Sequence, residues 1–99
     1  MEIDYAEKIA EEIWDLDVTP WTKHWVPIFQ KFSQELIRNA QLSPGQLILD
    51  VGTGTGIAAF VAAKRSEHGV VIGIDRSPKM ISAARANSKK KQTSKCILH

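Results

Sequence analysis

The residues with the clearest chemical meaning form a glycine-rich segment in the middle of the chain. Gly52, Gly54 and Gly56 alternate with threonines, starting two residues after Asp50, between a short apolar run and an alanine-rich stretch. Glycine is needed where a backbone turns sharply or approaches a ligand closely. The N–H groups at a helix start, at the positive end of its dipole, attract a carboxylate or a phosphate. The segment therefore predicts a tight strand-to-helix turn beside a polar ligand.

The spacing of the glycines separates this loop from two common nucleotide-binding loops. A dinucleotide-binding turn has the pattern Gly-x-Gly-x-x-Gly or Ala, but Ile57 stands at its last position here. A P-loop ends in Gly-Lys-Ser or Gly-Lys-Thr, and no lysine follows Gly56. The pattern is Gly-x-Gly-x-Gly after an acidic residue. It argues against an NAD-linked oxidoreductase and leaves other nucleotide-like ligands open.

A second acidic residue, Asp75, stands at the end of the next apolar run, 19 residues after Gly56. A carboxylate at such a strand end can accept hydrogen bonds from both hydroxyls of a ribose. Open α/β sheets bind their ligands at the carboxyl ends of parallel strands. We therefore expect Asp75 and the glycine loop to lie at the same edge of one sheet.

Alternating strands and helices are predicted to position these residues. The predicted elements are, in order, a strand at 47–51, a helix at 55–65, a strand at 70–74, a helix at 78–87 that Ser77 caps, a lysine-rich loop at 88–94 and the start of a third strand at 96–98. The apolar runs predict strands that are buried on both faces. This order predicts an α/β fold with a parallel sheet and right-handed crossovers.

Two amphipathic helices are predicted before the glycine loop. Apolar residues recur at helical spacing from Ile3 to Trp14, and again from about Thr22 to Ala40. Pro27 is compatible with a helix only near its start. We expect the tryptophans to pack in the core of these helices. The predicted organisation is an N-terminal helical cap or lid over residues 1–41 and a nucleotide-binding α/β unit over residues 42–99.

Residues 47–56 and 73–81 together carry a family resemblance. LILDVGTGTG resembles motif I of class I methyltransferases that depend on S-adenosylmethionine (SAM), and GIDRSPKMI resembles the segment that follows it. The whole run is similar to small-molecule methyltransferases of the ubiquinone and menaquinone biosynthesis type. The resemblance implies a Rossmann-like fold and SAM as the cofactor.

The resemblance also implies roles for individual residues. The glycine loop, which consists of Gly52, Thr53, Gly54 and Gly56, would pack against the methionine part of SAM. Asp50 would lie near the methionine amino group, and Asp75 would hold the ribose hydroxyls. Arg76 would border the adenine. No catalytic residue is assigned, because no residue stands out as a general base.

The resemblance covers the first part of the family's fold, so the chain is expected to be an N-terminal portion of it. The resemblance implies further strands, which would carry the residues beside the transferred methyl group. Without them the first strand would present an apolar edge, and such edges invite pairing with another chain. A homo-oligomer or hetero-oligomer is therefore one expectation. The alternative function is a non-catalytic Rossmann-like module that binds a nucleotide or completes another subunit.

Composition sets the remaining expectations. The 99 residues carry a net charge of +2, and the lysines of the 88–95 segment have no aromatic residues among them, which disfavours nucleic acid. The single cysteine, Cys96, favours a reducing, cytoplasmic location. No apolar run is long enough to span a membrane. No metal site is expected, and Asp15 and Asp17 are interpreted as a solvated turn.

Overall fold

The computed structural model describes residues 2–15, 18–66, 68–91 and 96–99. Its elements are, in chain order, helix α1 (Glu2–Trp14), a π-helical turn (Trp21–Trp25), helix α2 (Val26–Ala40), strand β1 (Leu47–Val51), helix α3 (Ile57–Arg65), strand β2 (Val70–Ile74), helix α4 (Pro78–Lys91) and strand β3 (Cys96–Leu98). The predicted order of helices and strands is confirmed.

The three strands form one parallel sheet in the order β1-β2-β3. Asp50 is paired with Gly73 in the register of β1 and β2, and Gly73 is paired with Leu98 in that of β2 and β3. All three strands therefore end at the same edge. The residues that follow β1 and β2, the glycine loop and Asp75, meet there as the sequence predicted.

One face of the sheet carries the core. Val71 on β2 is fully buried against Ala59, Ala62 and Ala63 of α3, and Ile48 of β1 packs against the same cluster. A second cluster joins α3, α4 and β3 through the side chains of Phe60, Ala84 and Leu98. Since α3 and α4 both cover this face, the small alanine side chains allow the helices to approach the strands closely.

The opposite face of the sheet is largely uncovered. Leu47, Leu49 and Val51 point away from the core cluster and are 73%, 60% and 71% exposed. The prediction that the strands are buried on both faces is wrong for β1. Apolar composition cannot distinguish the two cases, because a strand's own residues do not show whether a second layer packs on its other face.

Helix α2 joins the N-terminal helices to the core. Ile37 on α2 and Leu42 just after it pack against the α3 cluster. The outer side of the segment carries a row of aromatic rings, in which the ring centroids of Trp21 and Phe29 are 5.4 Å apart. Trp25 is 52% exposed, so the expectation that it packs in a core is wrong. The side chain of Trp14 lies outside the described residues.

Helix α4 is one turn longer than the sequence predicted. It continues to Lys91, whereas a loop was expected from residue 88. Lysine is a good helix former, and positive charges in the last turn interact favourably with the helix dipole. Lys91 also places its Nζ 5.8 Å from the centroid of the Phe60 ring. Residues 92–95 lie outside the described residues. No helix among the described residues has the length and hydropathy to cross a membrane.

Candidate functional site

The loop between β1 and α3 depends on left-handed backbone conformations. Gly52, Gly54 and Gly56 have φ values of +71°, +57° and +93°. An L-residue with a side chain pays about 1–2 kcal/mol to adopt this region, whereas glycine adopts it freely. The three glycines therefore allow the chain to turn from the end of β1 into α3 within a few residues.

The surroundings of the three glycines differ. A Cβ atom added to Gly52 or Gly54 would meet no other atom within 4 Å, so these positions border open space at the sheet edge. A Cβ atom on Gly56 would lie 2.6 Å from Cε2 of the buried Phe60 ring. The first two glycines therefore leave room for a ligand beside the backbone, while Gly56 leaves room for Phe60.

Asp75 connects the glycine loop to the start of α4. Its Oδ2 accepts a hydrogen bond from the Gly54 N–H at 2.8 Å, and its Oδ1 accepts one from the Ser77 N–H at 2.9 Å. A carboxylate offers about four lone-pair positions in total. Each oxygen thus keeps acceptor capacity for a further donor, which suits two neighbouring hydroxyls such as those of a ribose.

The hydrogen bonds of the loop are made largely within the protein. Thr53 N–H donates to the carbonyl of Ile74 at 2.9 Å, and Gly56 N–H donates to the carbonyl of Thr53 at 2.9 Å. Together with the bond from Gly54 to Asp75, three loop N–H groups are engaged. These three N–H groups already have partners within the protein, so they do not meet the expectation that the loop N–H groups attract an anion. The loop instead offers a fixed shape and the Asp75 carboxylate.

Asp50 is held by the loop that follows it. Its Oδ2 accepts a hydrogen bond from the Thr53 hydroxyl at 2.8 Å, and Asp50 itself is half-buried. The Thr53 side chain is 7% exposed and also limits the space beside Gly73, where an added Cβ would lie 2.8 Å from its Oγ1. We conclude that the Thr53 side chain orients the Asp50 carboxylate.

The first turn of α4 completes the site edge. Arg76, directly after Asp75, is exposed. The Oγ of Ser77 accepts a hydrogen bond from Met80 N–H at 3.2 Å, so Ser77 caps α4 as predicted. Asn87, further along α4, donates through Nδ2 to the Thr55 carbonyl at 3.2 Å. Helix α4 therefore contacts the glycine-rich loop region through the Asn87 side chain.

Asp15 is the residue of this region that sequence reasoning missed. Its Oδ1 accepts hydrogen bonds from Ser77 Oγ and from Lys79 N–H, both at 3.1 Å. Asp15 does lie in a turn, but the interpretation of its carboxylate as solvated is wrong, because it is bonded to the start of α4. No local signal marked it, because its partners lie more than 60 residues away in the chain. Asp17 lies outside the described residues, and no metal-ligand cluster occurs among those that are described.

Cys96 lies on the covered face of β3, away from this edge. Its thiol is 3.6 Å from the Ala59 carbonyl oxygen, to which it donates. Burial of the thiol and, to a smaller extent, the negative charge of Asp50 raise the pKa of Cys96 from an ordinary 9.0 to about 11. The thiol therefore stays protonated at neutral pH, which is the state of a structural cysteine rather than a nucleophile.

The protein family of this chain follows from the glycine loop and Asp75 together with a comparison with known protein families. A methyltransferase domain family matches residues 42–99, which include the whole sheet, the glycine loop and Asp75. The chain belongs to this methyltransferase family. The resemblance that residues 47–56 and 73–81 carry, and the Rossmann-like α/β fold expected from it, are both confirmed.

Two relatives match about half of the chain. It is 47% identical over 49 residues to the arsenite methyltransferase of Halobacterium salinarum, a match that covers 48% of this chain and 12% of that protein. It is also 47% identical over 49 residues to the ribosomal protein L11 methyltransferase of Burkholderia thailandensis, with coverages of 50% and 16%. The chain thus spans less than a fifth of the length of these relatives.

Solved structures agree with the sequence comparison. The crystal structure of a SAM dependent methyltransferase from Aquifex aeolicus superposes with a TM-score of 0.58 at 28% identity, and covers 65% of this chain and 35% of that one. About two thirds of this chain therefore shares the fold of a known SAM dependent methyltransferase.

Proposed function

We propose that this chain forms the cofactor-binding part of a SAM-dependent methyltransferase, with the cofactor at the carboxyl ends of β1 and β2. The observation that carries the proposal is the Asp75 carboxylate. Two backbone N–H groups fix its orientation, and each of its oxygens can accept one more hydrogen bond. That arrangement fits the two hydroxyls of the SAM ribose. The similarity to the SAM dependent methyltransferase of Aquifex aeolicus supports SAM as the cofactor.

The other candidate residues have complementary roles in this proposal. Gly52 and Gly54 let the methionine part of SAM lie against the loop, since no atom would obstruct a group beside them. Asp50, oriented by Thr53, faces the methionine amino group. Arg76, which is exposed at the start of α4, borders the adenine. Gly56 stabilises the loop on the side away from the cofactor, because its missing side chain leaves space for the Phe60 ring.

Bound SAM would supply a methyl group on a positively charged sulfur, which a nucleophile can take by in-line attack. The part of the reaction assigned to this chain is to bind and orient the cofactor, which contributes to catalysis by fixing the geometry of attack. The acceptor is proposed to be a small molecule. The names of the two curated relatives, one for arsenite and one for a ribosomal protein, support methyl transfer but favour no single acceptor class.

A calorimetric titration with S-adenosylhomocysteine (SAH), the demethylated cofactor, tests the proposal. Asp75→Ala is expected to weaken SAH binding at least tenfold, because hydrogen bonds to a charged acceptor are worth about 1.5–3 kcal/mol each. The matched control is Glu35→Ala, which removes an exposed carboxylate paired with Arg38 on α2. Thermal unfolding of both variants identifies any general loss of structure.

The outcomes are distinct. Unchanged SAH affinity in folded Asp75→Ala would remove Asp75 from the site. Failure of the wild-type chain to bind SAH would contradict the proposal as a whole. A competition of SAH against NADH separates a methyltransferase from an NAD-linked oxidoreductase, and displacement of SAH by NADH at similar concentration would favour the latter.

The second candidate function is a non-catalytic Rossmann-like module that binds a nucleotide or completes another subunit. The uncovered apolar face, with Leu47, Leu49 and Val51 each at least 60% exposed, favours association with further polypeptide. In this case the chain copurifies with a partner, and the complex supports no methyl transfer. Light scattering of the purified chain reports whether it forms homo-oligomers.

Two further expectations stay proposals. Residues 1–41 are proposed to act as a cap over the cofactor, and residues 42–99 as the unit that binds it. A reducing, cytoplasmic location is proposed from the single cysteine of the sequence.

A further inference from the structure

One side chain joins the N-terminal helices to the edge where the proposed cofactor site lies. Asp15 follows the last residue of α1, and its Oδ1 accepts hydrogen bonds from Ser77 Oγ and Lys79 N–H at 3.1 Å each. Lys79 belongs to the first turn of α4, where N–H groups have no partner within the helix. A negative charge at this position also interacts favourably with the helix dipole.

The contact reaches the carboxylate of Asp75 through a single residue. Ser77 donates its hydroxyl to Asp15 and its backbone N–H to Asp75 Oδ1. The same hydroxyl accepts the Met80 N–H. Movement of Asp15 away from α4 would therefore release Ser77 on one side, and Ser77 is one of the groups that orient Asp75.

We propose that Asp15 is a positioning residue that couples the placement of the N-terminal helical segment to cofactor binding. It acts on the cofactor through Ser77 and Asp75, without touching it. This inference rests on the proposed function, because it assigns a regulator to the same site. Coupling is reciprocal, so a cofactor that favours the oriented Asp75 must also favour the docked N-terminal segment.

Both hydrogen bonds end on the same oxygen of Asp15, which permits a sharp test. An amide oxygen has two lone pairs, so asparagine can accept both bonds in the same place. Asp15→Ala is expected to weaken SAH binding about tenfold, the change that corresponds to about 1.4 kcal/mol. Asp15→Asn is expected to stay within about threefold of wild type, since only the charge contribution is lost. Glu12→Ala, which removes an exposed carboxylate of α1, is the matched control with unchanged affinity.

A second readout measures the coupling itself. Lys8 lies exposed on α1 and is a trypsin site. SAH is expected to slow cleavage after Lys8 in the wild-type chain and in Asp15→Asn, but not in Asp15→Ala. A third readout needs no cofactor: the Lys79 amide, which donates to Asp15, should exchange its hydrogen about tenfold faster in Asp15→Ala, because that bond is lost.

The outcomes separate this inference from the proposed function. If wild type binds SAH and Asp15→Ala binds it equally, the inference is overturned while the cofactor site stands. If wild type binds no SAH, the proposed function fails. If the Lys79 amide exchanges at the same rate in Asp15→Ala as in wild type, the contact between Asp15 and Lys79 is refuted, whatever the result with SAH. If Asp15→Ala does not fold, Asp15→Glu replaces it, because it keeps the charge but displaces the carboxylate; wild-type affinity in that variant would overturn the positioning role.

Discussion

Gly56 is the position where the structure gives the sharpest prediction for the stability of the loop. Its φ of +93° is unfavourable for any residue with a side chain, and an added Cβ would lie 2.6 Å from Cε2 and 2.7 Å from Cζ of Phe60. The left-handed conformation costs about 1–2 kcal/mol. Overpacking in a closed core costs about 1–3 kcal/mol more. Gly56→Ala is therefore expected to lower the free energy of unfolding by about 2–5 kcal/mol.

The assay is equilibrium unfolding in urea, followed by far-ultraviolet circular dichroism. Gly45→Ala is the matched control, because Gly45 has a similar φ of +76° but no atom within 4 Å of an added Cβ. It should lose only the conformational part, about 1–2 kcal/mol. The difference between the two variants therefore isolates the collision with the Phe60 ring.

A double variant provides an internal check. Phe60→Leu removes the ring atoms that an alanine at position 56 would strike. The double variant Gly56→Ala/Phe60→Leu should thus be more stable than the sum of the two single effects predicts, by about 0.5–3 kcal/mol. The reasoning is refuted if Gly56→Ala costs no more than Gly45→Ala, or if the effects at 56 and 60 simply add.

Two further predictions concern the side chains of Cys96 and Thr53. Because burial and the Asp50 charge raise the pKa of Cys96 to about 11, iodoacetamide at pH 8 should modify Cys96 far more slowly in the folded chain than in urea. The contribution of the protonated thiol to the free energy of unfolding should be complete below pH 9 and decline as the pH rises toward 11. Cys96→Ser should abolish this decline. Equal alkylation rates in the folded and the unfolded chain would contradict the raised pKa of Cys96. Thr53→Val removes the hydroxyl that donates to Asp50, and should cost about 1–3 kcal/mol in urea unfolding. Wild-type stability of this variant would show that the bond contributes nothing to the fold.

The parts of this molecule that could be predicted from sequence are those that short segments determine. Three alternate glycines require a tight turn, a proline after Ser77 marks a helix start, and apolar runs between them mark strands. These signals placed the strands and α4's start correctly, and the convergence of the loop with Asp75 followed from the geometry of parallel strands. Each of these inferences needs only neighbours in the sequence and one rule of sheet topology.

The features that could not be predicted depend on distant partners. The exposure of Leu47 and Leu49 depends on whether another layer packs on their face, and the strand's own composition is the same in either case. The role of Asp15 depends on Ser77 and Lys79, which the fold alone brings near. The last turn of α4 is hard to predict for another reason: a run of lysines is typical of a polar loop, although the helix propensity of lysine is high.

The hydrogen bond from Gly54 to Asp75 changes how the proposed site should be understood. A comparison of motifs treats the glycine loop and the acidic residue as two separate contacts to one cofactor. In the structure the same carboxylate orients the loop, through Gly54 N–H, and the start of α4, through Ser77 N–H. Its free acceptor positions are therefore fixed before a ligand arrives, which lowers the ordering cost of binding. Because loop shape and ribose recognition depend on one side chain, a substitution at Asp75 alters both. A substitution at Asp15, which contacts Asp75 through Ser77, can change the orientation of the Asp75 carboxylate without removing it.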